Sequence, residues 1–198
     1  YYYDILQKHE KELVFKRIFD IICSGILIII LSPILIVLSV MIKLDSEGPV
    51  LFKQVRVTSY GKNFKIWKFR TMVNNADKIG TQVTTKGDSR ITRVGHLLRK
   101  VRLDELPQLF NVLAGDMTFV GTRPEVPKYV ECYTDEMKAT LLLPAGITSR
   151  ASIEYKDEEK LLENVENADT AYVQKVLPEK MKYNLREIER YSFWRDIE

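Results

Sequence analysis

Histidine and cysteine are scarce in this 198-residue chain, at two each. His9 and His96 lie far apart without ligand-spaced partners, which argues against a histidine-based metal site. Cys23 sits inside an apolar run and Cys132 stands alone, so neither a disulfide framework nor a zinc site organises the fold. The pattern fits a reducing compartment. Internal repeats and low-complexity segments are absent. The chain opens Tyr1-Tyr2-Tyr3 without a methionine, which leaves open whether it is a small form or part of a longer protein. The length predicts one domain with appendages, enough to bury a core.

Charge is missing most conspicuously from Ile21 to Ile42, a stretch of 22 residues bounded by Asp20 and Lys43. At about 1.5 Å per residue such a helix reaches across a hydrocarbon core of about 30 Å. A signal peptide has a shorter apolar region and a small-residue cleavage site, which is absent before Lys43. A buried soluble helix would not be apolar on every face. Ser32-Pro33 interrupts the middle, where proline removes a donor and kinks a helix. Lys8, Lys11, Lys16 and Arg17 precede the run; Lys43, Lys53 and Arg56 follow it. Positive flanks favour one side of the membrane. A re-entrant hairpin turning at Ser32-Pro33, with the Ser32 hydroxyl taking up a freed carbonyl, satisfies both features. A kinked span is the alternative. Residues 4–19 read as a lead-in helix, either interfacial or solvated.

The net charge is +3, but it is unevenly spread. Residues 43–102 hold 14 Lys/Arg against 4 Asp/Glu, whereas residues 151–198 hold 8 against 12. A basic stretch beside an apolar segment points to an anionic surface or substrate, or else to a solvated basic face.

Two strands are expected at Val50–Val57 and Phe64–Phe69, after the turn signal Glu47-Gly48-Pro49. Residues 74–90, with Gly80 and Gly87, read as a loop near a site. Helical spacing covers Thr92–Val101, and a short apolar helix covers Leu106–Leu113, ended by Gly115. Glu125–Leu142 reads as an amphipathic helix, Pro144-Ala145-Gly146 as a break, and Ser149–Ile153 as a strand. From Asp157 the tail reads as helices broken near Asn167 and Pro178. The fold class is α+β: a small, mostly helical domain with a short β element, resting on an N-terminal membrane helix. Four parts are expected: a lead-in (1–20), a membrane-inserted helix (21–42), a catalytic core (43–153) and a helical extension (154–198).

Chemistry concentrates in Arg99-Lys-Val-Arg102-Leu-Asp104-Glu105-Leu-Pro107-Gln108. Asp104 stands where a helix N-cap is expected, with Pro107 in the first turn. A helix start favours phosphate and ionised carboxylate, and Arg99 and Arg102 add positive charge. Adjacent carboxylates can divide two roles: one attacks phosphorus, and the other holds Mg²⁺, which takes one or two carboxylates plus substrate phosphates. Taken alone, Asp104 also fits a plain helix cap. Lys68 and Arg70 fit either anion contacts or solvent-facing strand residues.

Lys68-Phe-Arg70-Thr71-Met72, Asp88-Ser-Arg90-Ile-Thr92-Arg-Val-Gly95, Leu103-Asp104-Glu105-Leu-Pro107-Gln108-Leu-Phe-Asn111, Gly115-Asp116-Met117 and Gly121-Thr-Arg123-Pro124 follow in this order. From about Phe15 to Ile153, including the Ser32-Pro33 break, the chain resembles the bacterial sugar transferases, the monotopic phosphoglycosyltransferases. That resemblance implies a UDP-sugar donor, a polyprenol phosphate acceptor such as undecaprenyl phosphate, and products UMP and polyprenol-diphosphate sugar. It implies Asp104 as the nucleophile of a covalent phosphosugar intermediate and Glu105 as the Mg²⁺ ligand. Arg99 and Arg123-Pro124 are implied at the phosphates or nucleotide. A re-entrant helix entering one leaflet is implied too, with chemistry at the cytoplasmic face of the bacterial inner membrane. Two positions depart from the family pattern. Thr122 stands where the family often has proline, and Pro144-Ala145-Gly146-Ile147-Thr148-Ser149-Arg150 differs from the usual Pro-Gly-Ile-Thr-Gly run. The competing class is a membrane-anchored scaffold that binds anionic lipids without catalysis. Nucleic acid is not an expected partner, because recognition-helix and RNA-motif signatures are absent. A homo-oligomer is left open, and the sugar is not named by the sequence.

Overall fold

The computed structural model describes residues 1–76, 88–155 and 168–197. The tip of the expected 74–90 loop, with Gly80 and Gly87, and the tail start through Asn167 lie outside the described residues.

Helix α1 (Tyr2–Lys8) ends at His9, and helix α2 then runs from Glu10 to Asp45. The expected lead-in is therefore two helices, and α2 carries both its second half and the apolar run. Inside α2, Pro33 has no N–H to give the carbonyl of Ile29. Ser32 Oγ donates to that same oxygen at 2.8 Å, which keeps it satisfied in apolar surroundings. Ile29, Ile30, Ile36, Val37 and Val40 are exposed along this helix, whereas Leu38 and Ile42 are buried. Among the described residues it is the one helix long and apolar enough to cross a membrane.

Strands β1 (Leu51–Val57) and β2 (Asn63–Phe69) form an antiparallel hairpin with Phe52 opposite Lys68 and Arg56 opposite Phe64. Helix α3 (Arg93–Lys100) is capped by Thr92, whose Oγ1 accepts from Gly95 N at 3.0 Å. Asp45 at the end of α2 adds a second cap, accepting from Val94 N at 3.0 Å. Gly95 packs on the backbone of Thr71 so closely that a Cβ there would collide with the Thr71 carbonyl. Helix α4 (Gln108–Ala114) ends at Gly115, left-handed with φ 94°, where glycine carries no Cβ penalty.

Strand β3 (Met117–Val120) pairs in parallel with β4 (Ala145–Thr148). The expected break at Pro144-Ala145-Gly146 is thus the start of a strand. Gly146 explains the difference, because its backbone lies against Gly121 with no room for a Cβ. The expected strand at Ser149–Ile153 is instead helix α6 (Arg150–Glu154), started by Ser149, whose Oγ accepts from Ser152 N. The expected helix over Glu125–Leu142 is also corrected. Only α5 (Pro127–Val130) and a 3₁₀ segment (Met137–Leu142) form. Pro127 can start a helix but not continue one, and Thr134 Oγ1 accepts from Met137 N, which opens a second segment.

In the tail, α7 (Ala168–Ala171) passes through a π turn (Tyr172–Val176) into α8 (Leu177–Glu189), and α9 (Phe193–Ile197) follows. The break expected near Pro178 is that π turn, with the proline tolerated in the first turn of α8.

Four apolar clusters join these elements. Leu38 and Ile42 of α2 meet Phe69 and Leu98, with Leu103 and Leu106 against them. Phe64 and Ile66 meet Val112, Met117 and Ala145. Val126, Tyr129 and Tyr133 meet Tyr172, Val176, Leu177 and Met181 of the tail. Leu6 of α1 packs on Ile188 and Tyr191.

Candidate active site

The acidic pair lies on a single 3₁₀ turn, Leu103–Glu105, between α3 and α4. In a 3₁₀ turn, residues three apart share a face. Leu103 and Leu106 use that face to pack on the cluster of Leu38, Ile42, Phe69 and Leu98. Asp104 and Glu105 are therefore turned away from these leucines. Arg102 precedes the turn in a left-handed conformation, φ 58°, which is uncommon for a non-glycine residue and marks local strain. Asp104 is not the helix N-cap expected from the sequence. Pro107 holds that position, and Asp104 is the middle residue of the preceding turn. The turn makes the difference, since Leu103 and Leu106 anchor it one step before α4 begins.

Glu105 is the electrostatic hub. Its Oε1 accepts from Lys68 Nζ at 2.9 Å and from Arg123 Nη2 at 2.5 Å, and its Oε2 lies 3.2 Å from Arg123 Nη1. The Arg123 fork thus grips the carboxylate with two nitrogens, the geometry for which arginine is suited. Burial opposes ionisation of Glu105, but Lys68 and Arg123 override it and hold its carboxyl far below the usual range. Lys68 is pushed down by burial and by Arg123, against the pull of Glu105. Asp104 is 9% exposed. Burial raises its carboxyl above the ordinary range; Glu105 adds to the rise, whereas Lys68 and Arg99 oppose it.

The structure therefore gathers Lys68, the Asp104–Glu105 pair and Arg123 from three separate parts of the chain, with Arg99 near enough to act on Asp104. Arg70 does not join them. Strand β2 ends at Phe69, so the alternation that would align Arg70 with Lys68 stops. Arg70 is instead buried and donates from Nη2 to Ile42 O, Ser46 O and Ser46 Oγ, which caps the end of α2. Of its two expected roles, the solvent-facing one is not met; here the side chain holds the end of α2. Pro124 contributes a carbonyl that accepts from Arg56 Nη1 at 3.0 Å. The motif at Asp88-Ser-Arg90 is also structural: Asp88 pairs with Arg90, which donates to Ala76 O at 2.9 Å.

Sequence reading missed Arg56, Gln54 and Glu125, which wall the same region. Arg56 donates to Gln54 Oε1 from Nε at 3.1 Å and from Nη2 at 2.8 Å. The available signal was strand alternation, which puts residues 52, 54 and 56 on one face. Among the described residues no three His, Cys, Asp or Glu side chains gather as a metal site. Adjacent carboxylates are the donors that Mg²⁺ takes together with phosphate oxygens and water; in this arrangement both Glu105 oxygens accept from Lys68 or Arg123.

Both ends of the apolar run are fastened to this domain. At the first end, Arg17 donates to Val112 O at 2.6 Å and Leu113 O at 3.0 Å, closing the C-terminus of α4. Lys16 donates to Val120 O at 2.7 Å, and Asp20 accepts from Thr118 Oγ1 at 2.7 Å. At the second end, Lys43 reaches Gly48 O at 3.1 Å, beside the Arg70 cap.

Comparison with known proteins gives a consistent picture. The model of the bacterial sugar transferase family matches residues 11–198. A protein of Klebsiella pneumoniae named UDP-glucose:undecaprenyl-phosphate glucose-1-phosphate transferase is 40% identical over 192 residues, covering 94% of this chain and 38% of its own. A UDP-N-acetylgalactosamine-undecaprenyl-phosphate N-acetylgalactosaminephosphotransferase of Aeromonas hydrophila is 36% identical, covering 92% and 41%. A UDP-glucose:undecaprenyl-phosphate glucose-1-phosphate transferase of Caulobacter vibrioides is 34% identical, covering 92% and 65%. The chain spans about two fifths of the length of the first two relatives.

Proposed function

The chain belongs to the bacterial sugar transferase family, and from that membership we propose that it moves a sugar-1-phosphate from a UDP-sugar to undecaprenyl phosphate. The products are UMP and undecaprenyl-diphosphate sugar, the start of a polysaccharide or other glycoconjugate. The observation that carries the reading is the buried Asp104 beside a Glu105 gripped by Lys68 and Arg123.

A carboxylate oxygen of Asp104 attacks the phosphorus that bears the sugar. The bond from that phosphorus to the UMP oxygen breaks, and UMP leaves with the electron pair. A phosphate oxygen of the lipid then attacks the same phosphorus, and the Asp104 carboxylate leaves in turn. One meeting of two large substrates thus becomes two displacements at one site. Lys68 and Arg99 favour the ionised Asp104 against the effect of burial. Arg123 and Lys68 orient Glu105 and present positive charge to the diphosphate oxygens. Glu105 would hold Mg²⁺, with Asp104 adjacent; that ion would offset negative charge on the diphosphate as UMP departs.

The acceptor is too apolar to leave the bilayer, so the catalyst works at its surface. The fastening of Arg17 and Asp20 at one end, and Ile42 and Lys43 at the other, supports a re-entrant α2. A straight helix would set Arg17 and Ile42 about 38 Å apart, yet both ends dock on the small segment from β2 to β3. In this reading a turn at Ser32-Pro33 brings them together, and the site works at the cytoplasmic face of the inner membrane. The relatives named for glucose and N-acetylgalactosamine lie at similar identity, so the donor sugar is a matter for assay. A screen of UDP-sugars with undecaprenyl phosphate, reading UMP release, tests the reading. Release with at least one sugar, dependent on Asp104 and Mg²⁺, is expected. No release with any sugar contradicts it.

A further inference from the structure

Arg123 is carried on a turn, Gly121–Glu125, whose first residue packs closely against Pro144 and Gly146. A small cavity lies behind it, lined by Thr58, Thr122, Pro124, Tyr133 and Thr140. The far end of the turn is held by a buried polar group. Glu125, buried and two residues beyond Arg123, accepts a hydrogen bond on Oε1 from the hydroxyl of Tyr172. Lys180 Nζ, also buried, lies 3.0 Å from that hydroxyl and 3.6 Å from Glu125 Oε1. From the other side, Arg56 Nη1 lies 3.8 Å from Glu125 Oε2 and donates to Pro124 O, while Val57 N donates to Glu125 O at 3.0 Å.

One carboxylate is thus shared by a lysine and an arginine out of water. Such a group is costly to bury and is often no more stabilising than apolar packing of the same volume. Its value lies in geometry. Tyr172 opens the π turn Tyr172–Val176 and stacks on Tyr129, with ring centroids 4.8 Å apart. Such turns recur at functional sites.

We propose that Tyr172 and Lys180 of the C-terminal segment are positioning residues, which brace Glu125 so that the Gly121–Glu125 turn presents Arg123 to the donor diphosphate. The tail then belongs to the donor site although it touches no substrate. This inference rests on the transferase reading above.

The test uses the full chain in lipid nanodiscs, with Tyr172→Phe and Lys180→Met as independent variants. In each, KM for the UDP-sugar is expected to rise by about tenfold, with kcat and the KM for undecaprenyl phosphate changing by less than about twofold. A merely structural role lowers the active fraction, so kcat falls while both KM values stay; that result overturns the proposal. Hydrogen exchange needs no turnover. The amides of Val57 and Gly146, which bond to the turn at Glu125 O and Thr122 O, are expected to exchange faster in both variants, with α3 unchanged. Unchanged exchange at both amides overturns the brace. A wild-type chain that releases no UMP from any UDP-sugar overturns the transferase reading instead, and the exchange result still decides the brace.

Discussion

At the residue scale, Asp104 and Glu105 are neighbours with opposite electrostatic fates. Burial acts on both. Two cations reverse it at Glu105, whereas at Asp104 burial prevails. That split suits a carboxylate that reacts beside one that stays charged. The Arg123 fork matters because it fixes two Glu105 oxygens at once. Arg123→Ala is expected to lower UMP release by on the order of a hundredfold. Arg123→Lys should recover little, since a point charge cannot make the paired contact. Full activity in Arg123→Lys would show that charge alone suffices. The Asp104, Glu105 and Arg99 neighbourhood was legible in the sequence because one short stretch holds all three. The Lys68–Glu105–Arg123 triangle was not, because its members lie 37 and 18 residues from the hub and only the folded chain brings them together. The burial of Arg70 at the end of α2 was not legible either, because its partners Ser46 and Ile42 lie 24 and 28 residues away.

At the element scale, ordinary helix and turn chemistry aims the site. Thr92 and Asp45 cap α3, Gly115 and Arg17 close α4, and two leucines pin the 3₁₀ turn between them. Gly95→Ala places a methyl against the Thr71 carbonyl and should cost about 1–3 kcal/mol of stability, read as a lower melting temperature. An unchanged melt would mean that the contact yields. Asp88 offers a pH test. Its hydrogen bonds from the Arg90 side chain, against a smaller opposing effect of burial, hold its carboxyl down at about 2. A depressed acid stabilises the fold above its unfolded value of about 3.9, and that contribution is lost as pH falls through about 2. Asp88→Asn should therefore melt below wild type at pH 6, with the gap narrowing between about pH 4 and pH 2. A gap constant with pH would place the loss elsewhere. The hairpin, α3 and α4 were legible from alternation, spacing and caps. The β3–β4 pairing was not, since short parallel strands far apart in sequence carry no local signal, and Gly146 reads as a breaker until its contact with Gly121 is seen.

At the scale of the whole molecule, the apolar run was plain in the sequence, and the contacts of Arg17, Asp20, Ile42 and Lys43 with the domain support the proposed re-entrant path. Ser32 is the local device, serving the Ile29 carbonyl that Pro33 leaves. Single cysteines at Lys11 and Glu47, in a chain with Cys23 and Cys132 replaced, are expected to label from the same face of sealed vesicles. Labelling from opposite faces would make α2 a kinked span.

The central claim is that Asp104 carries the sugar phosphate, and direct capture tests it. The chain is mixed with a UDP-sugar labelled in the sugar-bearing phosphate, without lipid acceptor, then denatured and digested. Label is expected on the peptide holding Asp104 in wild type, and none in Asp104→Asn. Turnover by wild type with no captured label, or label retained in Asp104→Asn, would contradict it.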